Sequence, residues 1–397
     1  MFRLGSITSH TRHTLAAGVW GLMACALMSA QLTAAAPASA VAHSSAAASA
    51  PAASTVALNS VGAGLRSAEV PLATTSARGK GEPVTRVLRT DGFSMVGFAW
   101  TGERRLKARI RVRRDGQWRA WRPVAWTGDG PDADSPEATG RRGTDLLWTG
   151  AADQIEIETS GREPDGLAVV FMDPEGVRGQ ESAPMRTAQR PRRPDRAPRP
   201  KIRSRASWGA VEKWRTSRPV HDKVVRQVHV HHTAGSNRYS RDQVPGILAS
   251  IYRYHTKVLG WSDIGYNVLV DRFGRAWVGR RGGVGKRVRG AHTLGFNHKS
   301  TGIAVIGNFE TRAPKDRVTS KVAKIAAWQF DRHRSRARGK VTRTSRGSDL
   351  YPRRTKVRLP RIDAHSHTNA TACPGEALRD ALPEIRRLAQ KGIRRFS

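Results

Sequence analysis

The stretch RGQESAPMRTAQRPRRPDRAPRP, residues 178 to 200, constrains what this chain can fold into more than any other. It is rich in proline and arginine and nearly devoid of large apolar side chains, so it reads as a semi-stiff basic linker spanning 177–200. The chain on either side must then fold around separate cores, and 397 residues are enough for two or three of them.

Upstream, residues 84–176 carry short alternating runs punctuated by glycine and aspartate: SMVGFAW, ARIRVRRDGQWRAW, TDLLWTGAADQIEIET and GLAVVFM. Ile110 and Val112 alternate with Arg109, Arg111 and Arg113 and run into Asp115-Gly116, a hairpin signature. Several such strands predict a small all-β, sandwich-like accessory domain. Its tryptophans, Trp100, Trp118, Trp121, Trp126 and Trp148, are expected mainly in its core. Residues 41–83 are dominated by Ala, Ser, Thr and Gly and read as a flexible spacer. Arg3 and Arg12 precede the apolar run LAAGVWGLMACALMSA, and small residues follow, so residues 1–40 read as a secretory signal peptide. No later segment is apolar enough to span a bilayer, and the mature chain is expected to be secreted, extracellular or cell-wall associated, with no transmembrane segment.

The formal charge is +37, and residues 201–397 hold 43 Lys and Arg against 13 Asp and Glu. Such an excess calls for anionic surroundings. Export favours anionic cell-wall polymers and excludes nucleic acid as the expected partner.

Residues 201–397 mix strand and helix. VVRQVHV reads as a buried strand leading into HHTAG, and TGIAVIGNF as another; YNVLVD and AWVGR flank Arg272-Phe273-Gly274 as a hairpin. DQVPGILASIYRYHTKV places Val244, Ile247, Leu248, Ile251, His255 and Val258 on one helical face. DRVTSKVAKIAAWQFDRHR is an amphipathic helix, and GEALRDALPEIRRLAQKG a single closing helix. The expectation is an α/β domain, a mixed central β-sheet flanked by helices.

Removing the signal peptide removes Cys25 and leaves Cys373 alone, so no internal disulfide forms. Ten of the 13 histidines lie between His221 and His367. Strand alternation turns His231 to one face with His229 and His232 to the other with Val228 and Val230. One histidine at a strand end, joined by a histidine and Cys373 from the loop DAHSHTNATACPG, supplies three N/S ligands with a fourth position open. That is the composition of a catalytic zinc site. Two other readings stay open at this level: a Cys-His nucleophilic pair with Cys373 at a helix start, and a buried cysteine near surface histidines.

SRASWGA (204–210), HVHHTAG (229–235), GWSDIGYNVLVDRFGRAWVGR (260–280), GAHTLGFNHKSTGIAVIGNF (290–309) and HSHTNATACPG (365–375) together resemble the peptidoglycan recognition protein and type 2 N-acetylmuramoyl-L-alanine amidase family. The resemblance covers roughly residues 202 to 390, and the β-rich region resembles the accessory domain that precedes such amidase domains in secreted actinobacterial proteins. It implies a zinc (Zn2+) amidase domain over 201–397 that acts on peptidoglycan, with His231, His365 and Cys373 as metal ligands. It further implies Tyr266 beside the metal, Thr371 at a position held by lysine or threonine, and His292 and Asn297 lining the substrate groove. Family members that bind without cutting typically lack the cysteine, which is present here. One departure stands out: where the family usually has Gly-His-Arg-Asp-Val-Asn, this chain has AHSHTN, so His367 becomes a second candidate ligand. A peptidoglycan-binding protein with an altered zinc loop is the alternative function.

Overall fold

The computed structural model describes residues 55–73, 82–177, 179 and 196–396. The expected signal peptide, the start of the spacer and most of the linker lie outside them.

The accessory domain is built from β1 (Thr55–Val56), β2 (Asn59–Ser60), β3 (Arg66–Pro71), β4 (Val84–Thr101), β5 (Ala108–Arg114), β6 (Gln117–Trp118), β7 (Arg122–Val124), β8 (Arg141–Gly143), β9 (Leu147–Thr159) and β10 (Ala168–Asp173). They form one sheet with the central order β2-β3-β10-β4-β9-β5-β6. The hairpin read at Asp115-Gly116 is present: both residues have positive φ, 52° and 73°, and join β5 to β6 with the twist a two-residue loop requires.

Two expectations need correction here. The spacer proposed for 41–83 is not featureless where it is described, because β3 pairs along its whole length with β10. Its alternation, RSAEVP, is short and half polar, so only the long-range pairing reveals it as a strand. Nor are all the tryptophans core residues. Trp100 and Trp148 are buried, but Trp118 is exposed and Arg111 lies over it, while Arg109 and Arg111 both lie over Trp121.

The second domain carries a six-stranded sheet, β11 (Ile202–Arg203), β12 (Gln227–His232), β13 (Val268–Val270), β14 (Ala276–Val278), β15 (Ser300–Val305) and β18 (Ile362–Ala364), in the order β11-β14-β13-β15-β12-β18. Only β13 and β14 are antiparallel neighbours, as the Arg272-Phe273-Gly274 turn predicts. A separate hairpin of β16 (Lys340–Thr344) and β17 (Lys356–Pro360) precedes β18. The helices are α1 (Val244–Arg253), continued by a π-helical turn at Tyr254–Val258, then α2 (Asp316–Arg332), α3 (Glu376–Asp380) and α4 (Leu382–Arg394). The closing helix is thus two helices. Pro383 has no N–H to give to the preceding turn and its ring crowds that turn's carbonyls, which breaks the run near Ala381. Among the described residues no helix is long and apolar enough to cross a membrane.

Strand β12 is buried along its whole length because both sheet faces are covered. Val228 and Val230 pack towards α2 and α4 with Ile303, Val305 and Ile385. The opposite face, which carries His229 and His231, meets α1 and, beyond it, the accessory domain. Met95 and Ala99 of β4, with Val170 and Met172 of β10, join one apolar cluster with Ile247, Ile251 and Tyr254. Val96, Phe98 and Trp100, the alternate residues of β4, fill the accessory domain's own core. Tyr254 donates its phenol to the Phe98 carbonyl across this junction, at 2.5 Å and fully buried. The same carbonyl also accepts the Thr144 N–H at 3.0 Å, so Tyr254→Phe should remove one of its two hydrogen bonds and lower unfolding free energy by about 0.5–1.5 kcal/mol in a denaturant titration. An unchanged stability would show that this bond does not hold the domains together.

Candidate metal centre

Three features of the local fold bring the site together. His231 is the fifth residue of β12 and His365 directly follows β18, which pairs with β12 in parallel, so both lie at the same end of the sheet. Ser366 N–H donates to the Cys373 carbonyl at 2.8 Å, closing the loop so that its two ends approach each other. His232 N–H points at Cys373 Sγ, 3.4 Å away, and fixes the sulfur beside β12.

His231, His365 and Cys373 are all buried, and one ligand atom from each lies within 4.8 Å of the others. Cys373 Sγ is 3.7 Å from His231 Nδ1. The other His231 nitrogen, Nε2, is 3.1 Å from His292 Nδ1 and 3.3 Å from Thr293 Oγ1. Those contacts orient the ring and leave Nδ1 as its free donor. Gly302 permits this arrangement, since a side chain there would collide with the His292 ring. His232 turns away, accepting a hydrogen bond from Phe309 N–H at Nδ1. The alternation of β12 thus separates the two histidines as read from the sequence.

Burial lowers both imidazoles, His231 and His365, to a pKa of about 3, so they are neutral and keep a lone pair for a metal. Burial also raises the Cys373 thiol well above its ordinary value, with Asp129 and Asp145 adding to the effect. A thiol in such surroundings lacks the cationic neighbour that a Cys-His nucleophile needs. The donor set, two neutral imidazoles and one sulfur, is the chemistry that suits zinc. Both His365 nitrogens are buried with no hydrogen-bond partner among the described residues, as are those of His229, but only His365 lies within ligand range of His231 and Cys373.

His367 behaves differently. Its side chain is 40% exposed and its Nδ1 lies 2.6 Å from Asp363 Oδ1, so it is occupied by a carboxylate on β18 and turned from the cluster. Thr371 is half-buried, and its hydroxyl accepts the Cys373 N–H at 3.2 Å. His292 and Asn297 are fully buried. Asn297 Oδ1 accepts from the N–H groups of His292 and Thr293, and its Nδ2 donates to the Gly130 carbonyl and to Asp132.

Gly130 and Asp132 belong to the accessory domain, whose β7–β8 connection reaches into this site. Asp129 accepts the Tyr266 hydroxyl at Oδ2, while its Oδ1 lies 3.4 Å from both His231 Nδ1 and His365 Nδ1. Burial pushes the Asp129 carboxyl up to about 6, against the opposing pull of His365, Tyr266 and Thr127. Burial likewise raises the Tyr266 phenol far above its ordinary value, so it stays protonated and donates. Glu137 grips Arg280 with both oxygens, at 2.8 and 3.0 Å, and accepts from the Ser262 hydroxyl. Sequence reasoning missed these residues. A signal was present, since TGDGPDADSPEATG, residues 127–140, holds four acidic residues and no basic one in a chain of charge +37.

The family model described as N-acetylmuramoyl-L-alanine amidase matches residues 221–376, and one described as Rv3811 N-terminal galactose-binding domain-like matches residues 42–198. Peptidoglycan-recognition protein SC2 of Drosophila melanogaster is 31% identical over 174 residues, covering 44% of this chain and 80% of that protein. Peptidoglycan recognition protein 1 of Mus musculus is 37% identical over 114 residues, covering 28% of this chain and 59% of that protein. Among solved structures, Drosophila PGRP-SA is similar with 26% identity and a TM-score of 0.37, covering 47% of this chain and 92% of that one. The chain belongs to the peptidoglycan recognition protein and type 2 N-acetylmuramoyl-L-alanine amidase family, and carries a galactose-binding-like β-domain ahead of its amidase-like domain.

Proposed function

We propose that this protein is a zinc-dependent amidase that cleaves the bond between N-acetylmuramic acid and L-alanine in peptidoglycan. The observation that carries the reading is the convergence of buried His231, His365 and Cys373 at one end of the sheet. Zinc held by these three residues supplies Lewis-acid polarisation of a carbonyl and activation of water at neutral pH. Tyr266, kept protonated, donates a hydrogen bond to the oxygen that gains charge as the amide is attacked. Thr371 acts through Cys373, whose N–H it holds, and so positions the sulfur. Asn297 offers Nδ2 as a donor to a peptide carbonyl or carboxylate, and His292 buttresses His231 from behind. The cationic surface of residues 201–397 retains the enzyme on anionic wall polymers, an attraction that salt weakens. Export through residues 1–40 fits work on a wall outside the membrane.

Metal binding separates the two candidate histidines. His365→Ala should lower zinc affinity by more than the ~10–100-fold typical of losing a supporting hydrogen bond, whereas His367→Ala should stay within that range. Competition with a chromophoric chelator measures both, and the reverse order would move the ligand to His367. The reaction is tested on purified peptidoglycan with the full chain, its Asp129→Ala variant and Cys373→Ser. Stem peptides with a free N-terminal L-alanine should appear, and Cys373→Ser should abolish both their release and stoichiometric zinc. If zinc binds one to one but neither the full chain nor Asp129→Ala releases stem peptide, while sedimentation with the wall persists, the protein is a binder and not an amidase.

A further inference from the structure

The connection between β7 and β8 leaves its own sheet and enters the cleft of the other domain. We propose that Asp129 is the fourth ligand of the metal centre, and that residues 126–139 hold the protein in a latent form by filling the position that water and the scissile amide require. The proposal rests on the zinc reading above.

Distances support it first. Two N or O donors each ~2.0–2.1 Å from one tetrahedral zinc lie about 3.4 Å apart, and a sulfur at ~2.3 Å lies about 3.6 Å from such a donor. Asp129 Oδ1 is 3.4 Å from His231 Nδ1 and 3.4 Å from His365 Nδ1, while Cys373 Sγ is 3.7 Å from His231 Nδ1. These three spacings match those between ligands of one tetrahedral ion. Satisfaction is the second support. Among the described residues, Asp129 Oδ1 is buried with no hydrogen-bond partner, as are both nitrogens of His365. Unpartnered polar atoms aimed at a common centre are costly unless something there binds them all. If Asp129 served only as the acceptor for Tyr266, Oδ2 alone would account for it, and Oδ1 would have no reason to lie equidistant from two imidazoles.

The rest of the segment is built to stay in place. Gly128 and Gly130 take positive φ, 64° and 151°, and Gly128 lies against the His365 ring and so close to Asn369 that a side chain there would need Asn369 to give way. The Gly130 carbonyl and the Asp132 carboxylate occupy the donors of Asn297, and Asp132 also accepts from Gly295 N–H at 3.0 Å. Further out, Asp134 pairs with Arg346 at 2.9 Å and Glu137 with Arg280 at 2.8 Å. The cavity that remains beside Asp129 and Tyr266 is about 10 Å³, room for about one water and for no sugar or peptide. An acidic segment thus occupies the donors that an anionic peptide substrate would need. A tethered carboxylate competes at a high effective concentration, so an external ligand sees only the fraction of molecules with the segment displaced.

The test uses the full chain loaded with cobalt(II), azide as the external ligand, and visible absorption as the readout. Asp129→Ala should bind azide at least ~10-fold more tightly than wild type. A second variant, Asp134→Ala with Glu137→Ala, keeps all four ligands and removes the outer ion pairs; it should gain azide affinity to a smaller degree. Unchanged circular dichroism confirms that each variant is folded. Equal azide affinity in wild type and both variants would overturn the proposal. Stem-peptide release that rises in parallel with azide affinity supports latency and catalysis together. A gain in azide affinity without stem-peptide release from any variant upholds Asp129 as ligand and defeats the amidase reading alone.

Discussion

A carboxylate from one domain is buried against two neutral imidazoles of the other, and much of the structure exists to make that contact tolerable. Taking an ionised group out of water is expensive unless a counter-charge or a full set of hydrogen bonds meets it. Tyr266 meets one oxygen of Asp129, and the second faces His231 and His365 without a hydrogen bond. The neutral state of both histidines follows from their burial beneath the accessory domain, which covers the sheet face that carries them. A divalent cation held at the centre, as proposed, would resolve the imbalance, since it takes neutral imidazole, thiolate and carboxylate together.

The interface that brings these groups together is both apolar and charged. Residues of β4 and β10 that would face solvent in an isolated sheet instead pack on α1, so β4 loses its alternation and is buried on both faces from Phe93 to Trp100. Around that apolar contact, Glu137–Arg280 and Asp134–Arg346 fasten the acidic segment to a cationic cleft. The segment's position is therefore set by the whole junction rather than by Asp129 alone.

Much of the second domain was legible in the sequence because its signals are local. The period-2 run into His231-His232, the turn at Arg272-Phe273-Gly274 and the amphipathic run from Asp316 each report their own geometry. The meeting of His365 and Cys373 was legible because the two are close in sequence as well as in space. What was hidden is long-range. Strand β3 declares itself only by pairing with β10, and the break between α3 and α4 turned on Pro383. Asp129 was missed because its partners, Tyr266 and His365, lie more than a hundred residues away in another domain. Its acidic surroundings in a basic chain were the visible trace. His367 illustrates the reverse case: its departure from the family pattern made it a second candidate ligand, and the buried carboxylate of Asp363, four residues earlier, claims it instead.

X-ray absorption at the zinc edge on the zinc-loaded full chain tests the central claim most directly, because it reads the ligand set without reference to activity. The account predicts four-coordinate zinc with one sulfur at ~2.3 Å and three nitrogen or oxygen neighbours at ~2.0–2.2 Å. A shell with no sulfur, or a six-coordinate oxygen shell, would contradict it.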